Sequence, residues 1–430
     1  MMRWYSSAAV LTIGLLATAA VRAENWPGWR GPRGDGTSAE KQVPVRWDGE
    51  SGENIAWKTP LPGRGHSSPI VWGDQLFAVS CVEADRTRLL MSLDRRTGRL
   101  LWQRPVITAP LEKQHNLNSH ASGTPATDGQ GVYVTFLEAD FGSSNEVTPG
   151  NLVVAAYDFA GKQRWLVRPG RFSSVHGFCS SPVIFEDLLI VNGDHDGDSY
   201  LVALDRSSGE IRWKVPRENK TRSYCTPLIR EIDGRTQMIL SGSRCVVSLN
   251  PRDGSRHWII DGPTEQFVAS LVDNGQLLFL TAGFPEHHIL AIRPDGHGNV
   301  TDSHIVWRTT KGCSYVPSPI VCGEYFLVAA DNGIASCFVA QTGERVWMER
   351  LGNHYSASLI EANGLVYFLA DDGELKIVRP GRQLDVVAVN RLGEYCFASP
   401  AVSQGQLFLR SEKHLFCIGS QAADQTILHP

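Results

Sequence analysis

Hydrophobic residues along the chain come in short runs that turn-forming residues separate, and most of these runs open with the same marker. The marker is one or two small residues followed by Pro and then an apolar stretch. Six copies contain Pro and two are degenerate: Ser67–Pro69, Gly123–Pro125, Ser180–Pro182, Cys225–Pro227, Val316–Pro319 and Ala398–Pro400, with Val268–Leu271 and Ser356–Leu359. Short apolar runs bounded by Gly, Pro, Asn and Asp predict strands rather than helices.

A second pattern closes most of these units. Asp, Asn or Gln begins a turn, Gly follows, and Trp stands four residues after the Gly. Five copies end in this way: Trp102, Trp165, Trp213, Trp258 and Trp347. Asp and Asn favour turns and Gly accepts a positive φ, so the pattern predicts a tight hairpin. The Trp then lies on the return strand, where we expect it to pack against the next unit.

The eight markers stand 39 to 57 residues apart, which leaves room for four short strands in each unit. A repeat of this length with four strands is typical of a β-propeller. The predicted fold is therefore all-β, an eight-bladed β-propeller with four-stranded blades over residues 54–418. An array of two-sheet sandwiches is the alternative.

The eighth unit ends early, because only a polar tail follows Leu415–Ile418. Asn54–Pro60, which contains Trp57, stands alone before the first unit. We predict that this segment is the missing outer strand of the eighth blade, since such closure joins the chain ends and removes an exposed edge. The seventh unit lacks its Trp and offers Leu384–Val389 in that place.

Both ends of the chain lie outside the repeats. Arg3, the apolar Ala8–Ala20 and the small-residue site Val21–Ala23 predict a signal peptide over residues 1–23. A transmembrane anchor is the alternative. Cleavage near Ala23 implies a periplasmic or secreted protein. Residues 24–53 form an N-terminal arm. Within it Trp26–Gly36, which is rich in Gly and Pro and contains two Trp, predicts an ordered loop rather than a strand or helix. Residues 419–430 form a C-terminal tail.

Composition narrows the partners. Of 430 residues, 42% are hydrophobic, which excludes a disordered protein. The net charge is −4 and no basic stretch dominates, so we expect no nucleic-acid partner. No later segment is apolar enough to cross a membrane, and we expect a monomer. The nine Cys show no metal or redox spacing and are predicted to be small buried residues. The alternative is an interblade disulfide or a thiol site, with Cys179 and Cys225 before the inner strands of neighbouring blades and Cys313 and Cys396 in similar places.

The hairpin pattern, as in Ala203–Asp205 with Gly209 and Trp213, resembles the repeat of pyrroloquinoline quinone (PQQ)-type propellers. The arm Trp26–Pro32 is similar to the opening of exported PQQ-binding-like β-propeller repeat proteins. This resemblance implies two kinds of relative. Quinoprotein dehydrogenases bind PQQ and calcium, often beneath an adjacent Cys pair that this chain lacks. The outer-membrane assembly factor BamB is a scaffold without a cofactor.

In a propeller, the loops that lead into the inner strands converge at one mouth of the central channel. Histidines and tyrosines cluster there, and two charged residues lie beside them. The candidate ligand-binding residues are His66, His120, His176, Arg222, Tyr224, Glu265, Tyr315 and His354. The histidines are suited to a metal ion or to proton transfer. The basic stretch that contains Arg222 and Tyr224, with the loop of Glu265, is suited to an anionic ligand such as a quinone carboxylate. The alternative is that each side chain caps a turn or fills a gap between blades.

Asp194, Asp196 and Asp198 alternate in a Gly-containing turn between two strands. Alternate carboxylates of this kind form the first half of a calcium loop. The bidentate Glu expected at position twelve is missing, because Ala203 stands there. A solvated polar hairpin is therefore the alternative to a calcium site.

Familiar catalytic signatures are missing, including G-x-S-x-G, H-E-x-x-H and the phosphate-binding and dinucleotide-binding glycine motifs. The function that we predict is a non-catalytic binding or scaffold protein of the cell envelope, with no required cofactor. Its partner would be an envelope protein or a small-molecule ligand at the channel mouth. The alternative is a PQQ-dependent oxidoreductase with calcium. A binder of divalent metal or carbohydrate is a third hypothesis.

Overall fold

The computed structural model describes residues 23–141 and 148–419. These residues form eight sheets arranged as the blades of a propeller, and each blade has four antiparallel strands. Two of the sheets gain a fifth strand of two residues that pairs in parallel, Gly298–Asn299 at the outer edge of the fourth blade and Thr37–Ser38 at the inner edge of the seventh. The predicted fold class is confirmed. The only helix in the described ranges is a 3₁₀ turn at Glu83–Asp85. The predicted signal peptide before Ala23 and the predicted tail after Gly419 lie outside the described residues.

In the first seven blades the strands follow one another in chain order from the inner to the outer edge. The inner strands of the second and fifth blades have only two residues each. In the eighth blade the outer strand comes from the beginning of the chain. The bounds, blade by blade, are: Ile70–Trp72, Gln75–Val82, Thr87–Asp94, Leu100–Thr108; Ala126–Thr127, Val132–Ala139, Thr148–Tyr157, Gln163–Ser174; Val183–Phe185, Leu188–Gly193, Tyr200–Asp205, Ile211–Pro216; Leu228–Ile232, Arg235–Gly242, Cys245–Leu249, Arg256–Asp261; Val272–Asp273, Leu278–Ala282, His288–Ile292, Ile305–Thr309; Ile320–Cys322, Tyr325–Ala329, Ile334–Val339, Arg345–Arg350; Ile360–Ala362, Leu365–Leu369, Glu374–Arg379, Asp385–Arg391; Ala401–Ser403, Gln406–Arg410, His414–Ile418, Ile55–Pro60.

The ring closes as predicted. Ile55–Pro60 pairs antiparallel with His414–Ile418, and Trp57 lies opposite Cys417. In the seventh blade, Asp385–Arg391 supplies the outer strand although it has no Trp. The apolar core lies between neighbouring blades, so each blade buries both faces and the closed ring leaves no blade without a neighbour.

The Trp of each hairpin pattern joins one blade to the next. Its indole N–H donates to a backbone carbonyl in the hairpin of the following blade, which confirms the predicted packing. Two further Trp, which the pattern missed, do the same in the eighth and fifth blades. The seven pairs are Trp57–Arg95, Trp102–Phe159, Trp165–Arg206, Trp213–Pro251, Trp258–Pro294, Trp307–Ala340 and Trp347–Gly381, at 2.8–3.2 Å.

The hairpin glycine serves the same interface. Gly98 has a φ of 71°, and a Cβ at this position would overlap the ring of Trp57. Gly161 stands in the same relation to Trp102 of the preceding blade, with a φ of 81°. A side chain there would be strained by the backbone and would also displace the indole. The Gly and the Trp of the repeat are therefore two halves of one contact.

The small residue before each Pro links the blades at the axis. The hydroxyl of one blade's marker accepts a hydrogen bond from the backbone N–H of the preceding blade's marker. Within the described residues six of these links are formed, at 2.9–3.4 Å: Ser68 to Thr124, Thr124 to Ser181, Thr226 to Ser270, Ser270 to Ser318, Ser318 to Ser358, and Ser358 to Ser399. A buried N–H without a partner would destabilise the fold, so these hydroxyls explain the marker.

The N-terminal arm lies across one end of the ring. Trp26 is buried and pairs through its backbone with Val71 of the first blade. A short strand follows the predicted loop: Thr37–Ser38 pairs in parallel with Glu361 and Ala362 at the inner edge of the seventh blade. The unpaired edge of that short inner strand offers free backbone groups, and the arm satisfies them.

Candidate functional site

The arm closes one end of the central channel. The indole of Trp29 lies on the axis and donates to the hydroxyl of Ser270 at 3.1 Å. The buried guanidinium of Arg30 donates to the carbonyl oxygens of Ser318 and Pro319, at 3.4 and 2.6 Å. Because these groups belong to the fifth and sixth blades, the arm is tied to the far side of the ring from Trp26.

Above Trp29 the channel is a narrow cavity of about 130 Å³. Marker hydroxyls of several blades line it, together with the imidazole of His66. That imidazole contacts the ring of Phe397 and has its Nδ1 3.1 Å from the carbonyl oxygen of Leu117. Burial, with Arg64 and Arg410 nearby, lowers the pKa of His66 to about 3. His66 is therefore a neutral wall residue of the channel at physiological pH.

The other end of the channel opens into a wider cavity of about 510 Å³, which we call the bowl. The bowl and the channel share wall residues, among them Cys179 and Tyr224, so they are continuous. The polar residues that line the bowl are His115, Asn118, His176, Arg222, Tyr224, Gln266, Tyr315, Asp331 and Ser356. Its apolar side is formed by four: Leu117, Val268, Phe284 and Val316.

One wall of the bowl comes from the loop 109–125, which joins the first two blades. Loops of this length without secondary structure are uncommon and are usually functional. A buried ion pair holds its base, with Arg88 Nη2 2.5 Å from a Glu112 carboxylate oxygen. The His120 Nε2 is 3.0 Å from the Glu112 carbonyl oxygen. His120 therefore supports the loop from below and does not face the bowl.

The same loop brings a histidine against the third blade. The His115 N–H and the Asn118 side-chain amide both donate to the carbonyl oxygen of His176, at 3.3 and 2.7 Å. The two imidazole rings meet edge to face with centroids 5.7 Å apart. Burial, followed by the charges of Arg222 and His115, lowers the pKa of His176.

The three aspartates of the predicted calcium loop go to three different cations. Asp194 is fully buried and pairs with Arg217 at 2.8 Å, and Asp196 pairs with Arg222 at 2.6 Å. The exposed Asp198 pairs with Lys220. No group of three His, Cys, Asp or Glu able to hold a metal ion occurs among the described residues. The calcium site stays a prediction that this geometry does not support.

Two tyrosines and an aspartate complete the polar side. Tyr224 shares a hydrogen bond with the Ser174 hydroxyl at 2.7 Å, and Tyr315 donates to the Gln266 side chain at 3.2 Å. Burial raises the pKa of Tyr224 well above its usual value and that of Tyr315 to about 12. Burial also raises the pKa of Asp331, which accepts the backbone N–H groups of Tyr315 and Val316. Both phenols are neutral hydrogen-bonding groups at physiological pH.

The candidate residues thus fall into two groups. The bowl brings together His176, Arg222, Tyr224 and Tyr315, and His66 lies just below it. The other three have partners elsewhere and line neither cavity. His120 supports its loop, His354 lies 2.7 Å from Asp371, and Glu265 pairs with Arg244 on an exposed loop.

Sequence reasoning missed several of the wall residues, and four of them show where a signal was present. His115 and Leu117 lie too far before their marker to have been considered, although the length of their loop is itself a signal. Phe284 and Asp331 follow the second strands of the fifth and sixth blades. These loops reach the same mouth as the marker loops, so residues just after each second strand should have been searched as well.

The nine cysteines all lie in the described ranges and are free thiols, most of them buried. The disulfide considered between Cys179 and Cys225 is not formed. Burial raises the pKa of both thiols to about 12, so neither is a reactive thiolate. Among the residues that the structure describes, no helix has the length and apolar character needed to cross a membrane.

A family model described as outer membrane protein assembly factor BamB matches residues 37–148 and 90–348. Together these matches cover well over half of the chain. The chain belongs to this family. The predicted resemblance to PQQ-type propellers is thereby confirmed.

A curated BamB from Burkholderia pseudomallei (strain K96243) is 30% identical over 130 residues, which are 29% of this chain and 33% of that protein. The match thus spans about a third of the relative's length. The solved structure of BamB from Moraxella catarrhalis has a TM-score of 0.59 at 13% identity, covering 85% of this chain and 97% of that one. A quinohemoprotein alcohol dehydrogenase from Pseudomonas putida HK5 has a TM-score of 0.56 at 13% identity, covering 92% and 80%. Both structures show the fold alone.

Proposed function

We propose that this member of the BamB family is a non-catalytic binding protein of the cell envelope, which holds a partner in the bowl. The observation that carries the proposal is the contrast within one channel. The arm seals one end, whereas the other end is a continuous cavity with exposed Leu117 and Phe284 on its wall. Exposed apolar groups around a concave site are typical of binding surfaces.

The quinoprotein alternative requires a site for PQQ, a quinone with three carboxylates, and for calcium. The donor set of the bowl suits that pair poorly. The bowl has a single guanidinium, that of Arg222, for three carboxylates, and one of its nitrogens already pairs with Asp196. Asp331 adds a carboxylate of its own, which would repel an anion of that charge. The described residues offer no metal-holding group of three side chains and no cysteine pair over the bowl. We therefore derive no redox step for this protein.

The rest of the proposal follows the family and the sequence. Residues 1–23 are a signal peptide, residues 24–53 the arm, residues 54–418 the propeller and residues 419–430 a tail. The mature protein is a periplasmic or secreted monomer. Its partner is an envelope protein, and its role, by analogy with the assembly factor, is to support the assembly of outer membrane proteins.

Site-specific photocrosslinking tests this function. A benzophenone side chain at Phe284 reports on the bowl, and one at Leu100, on the outer strand of the first blade, is the control, because both positions are exposed to a similar degree, 49% and 41%. We expect an adduct with an outer membrane or periplasmic protein from position 284 alone. Adducts from position 100 alone would overturn the bowl as the binding site. Alcohol oxidation by the purified protein, dependent on added PQQ and calcium, would overturn the non-catalytic assignment.

A further inference from the structure

Three basic side chains gather on one wall of the bowl. Arg222, from the segment before the fourth blade, faces the cavity beside His176 and His115. Within the described residues Arg222 makes a single hydrogen-bonded ion pair, through Nη1 to Asp196 at 2.6 Å, and its buried Nε has no partner. The Nε–Nη2 edge of a guanidinium matches the two oxygens of a carboxylate. The arginine is therefore half used.

Other residues that line the bowl are apolar. Phe284 is 49% exposed and its ring centroid is 6.4 Å from that of Tyr315. Leu117 is 37% exposed, and Val268 and Val316 continue this apolar lining toward the channel. Removing apolar surface from water is favourable, so an apolar ligand that covers these side chains is bound more tightly. The volume of about 510 Å³ is that of a site for a small molecule or a short peptide end.

We propose that the bowl takes a ligand that carries one carboxylate on an aromatic or aliphatic body. This proposal rests on the proposed binding function and names the chemistry of the occupant. The carboxylate pairs with Arg222 through Nη2, which no described residue engages, and the body packs on Phe284 and Leu117. Two sources carry this chemistry, namely a free organic acid and the C-terminal carboxylate of a protein that ends in an apolar residue.

The electrostatics of the wall agree with an anionic group. His176 faces Arg222, His115 and Lys113, whose charges disfavour its protonation, and Asp196 opposes them. The ring of Tyr224 also faces His176, at 6.4 Å between centroids. A bound carboxylate adds a second negative charge and favours the imidazolium. Binding should therefore raise the pKa of His176, take up protons and become tighter as the pH falls from 7.5 to 5.5.

The test uses the purified full-length protein, including the arm, and two matched probes. N-acetyl-phenylalanine carries the carboxylate, and N-acetyl-phenylalaninamide has the same body without the charge. Titration calorimetry should show at least tenfold tighter binding of the acid. The His176 ring signals, followed by NMR, should show a raised pKa with the acid only. Equal affinities for the two probes, or an unchanged His176 titration, would overturn the proposal.

Two variants locate the site. Arg222→Met should weaken the acid about tenfold or more and leave the amide unchanged, because it removes only the charge-assisted contact. Arg206→Met is the matched control, since Arg206 has a similar exposure and a single carboxylate partner, Asp128, but lies outside the bowl. Phe284→Ala should weaken both probes by a similar factor. Arg222→Met binding the acid like the unmodified protein would overturn the assignment even where the acid binds.

A peptide pair separates the two sources. Acetyl-Ala-Ala-Phe with a free C-terminus should bind more tightly than N-acetyl-phenylalanine where the natural occupant is a protein end, and less tightly where it is a free acid. In either case the amidated peptide should bind at least tenfold more weakly than the free one. Should no probe bind while position 284 still crosslinks an envelope protein, the ligand class is wrong and the binding function stands. Should neither occur, both are wrong.

Discussion

The two ends of one channel meet solvent in opposite ways. At the arm end, Trp26 is 1% exposed and the Arg30 guanidinium is 2% exposed, with backbone carbonyls of the sixth blade as its acceptors. At the bowl end, Phe284 is 49% exposed and Arg222 keeps a buried Nε without a partner. The eight-fold pseudo-symmetry would allow either end to bind a ligand. The arm covers one end and stabilises the ring there, and the other end stays open to a ligand.

The two ends should differ in how much a substitution lowers the free energy of unfolding. A propeller blade is held by Trp–hairpin contacts at its outer edge and hydroxyl links at the axis, and neither depends on the bowl residues. Substitutions at the bowl should therefore change binding more than stability, and substitutions at the arm should do the reverse. Four measurements test this contrast.

The largest effect is expected at the arm. Trp26→Ala removes a large buried side chain from the core shared by the arm and the first and eighth blades. We expect a loss of about 3–5 kcal/mol in the free energy of unfolding, measured by urea denaturation at pH 7. A loss below about 1 kcal/mol would show that the arm is an accessory to the ring and not part of its core.

A pair of neighbouring serines tests the axial links. The Ser181 hydroxyl accepts the Thr124 N–H at 2.9 Å, whereas the buried Ser180 hydroxyl has no partner in the described part of the chain. Ser181→Ala should cost about 1–3 kcal/mol, because it leaves a buried N–H unpaired. Ser180→Ala should be close to neutral. Equal effects of the two substitutions in the same denaturation assay would refute the link.

The channel histidine makes stability depend on pH. Burial holds the pKa of His66 at about 3, below its usual 6.5, so the unfolded chain binds a proton that the folded protein does not between these values. The stability that the folded protein has while His66 is neutral in both states is fully present above pH 6.5. It is lost progressively as the pH falls to about 3, because the unfolded chain takes up a proton. At pH 5 the loss is at most about 2 kcal/mol. His66→Gln should flatten this part of the stability–pH curve, and His287→Gln, at an exposed loop, should not.

The smallest effect on stability is expected at the bowl. Leu117 is 37% exposed and lines the bowl. Leu117→Ala should change the free energy of unfolding by less than about 0.5–1 kcal/mol while lowering the yield of the Phe284 crosslink. A loss like that of Trp26→Ala would mean that the bowl wall is structural, which would remove the contrast between the two ends.

Much of this arrangement was predictable from local signals. The hairpin Gly and Trp predict the blades, because they make a contact that recurs from repeat to repeat. Trp57 predicts the closing strand, because it makes the same contact with the hairpin of the first blade. Four bowl residues, His176, Arg222, Tyr224 and Tyr315, were predictable because they stand just before the inner strands. His120 and His354 occupy equivalent positions and yet turn away, since their rings find partners in Glu112 and Asp371. Spacing cannot distinguish a side chain that faces the axis from one that supports a loop.

The number of blades, their order and the closure of the ring can be predicted from the sequence, because strand period, turn residues and buried Trp are short-range features that recur. Which end of the channel is open depends on long-range contacts that appear in the folded structure. That choice depends on where the arm crosses the ring, and it brings Trp29 to Ser270 and Arg30 to Pro319, residues more than two hundred positions apart. It also depends on the loop 109–125, whose path places His115 against His176. Contacts at such separation leave no periodic trace, because they are made once.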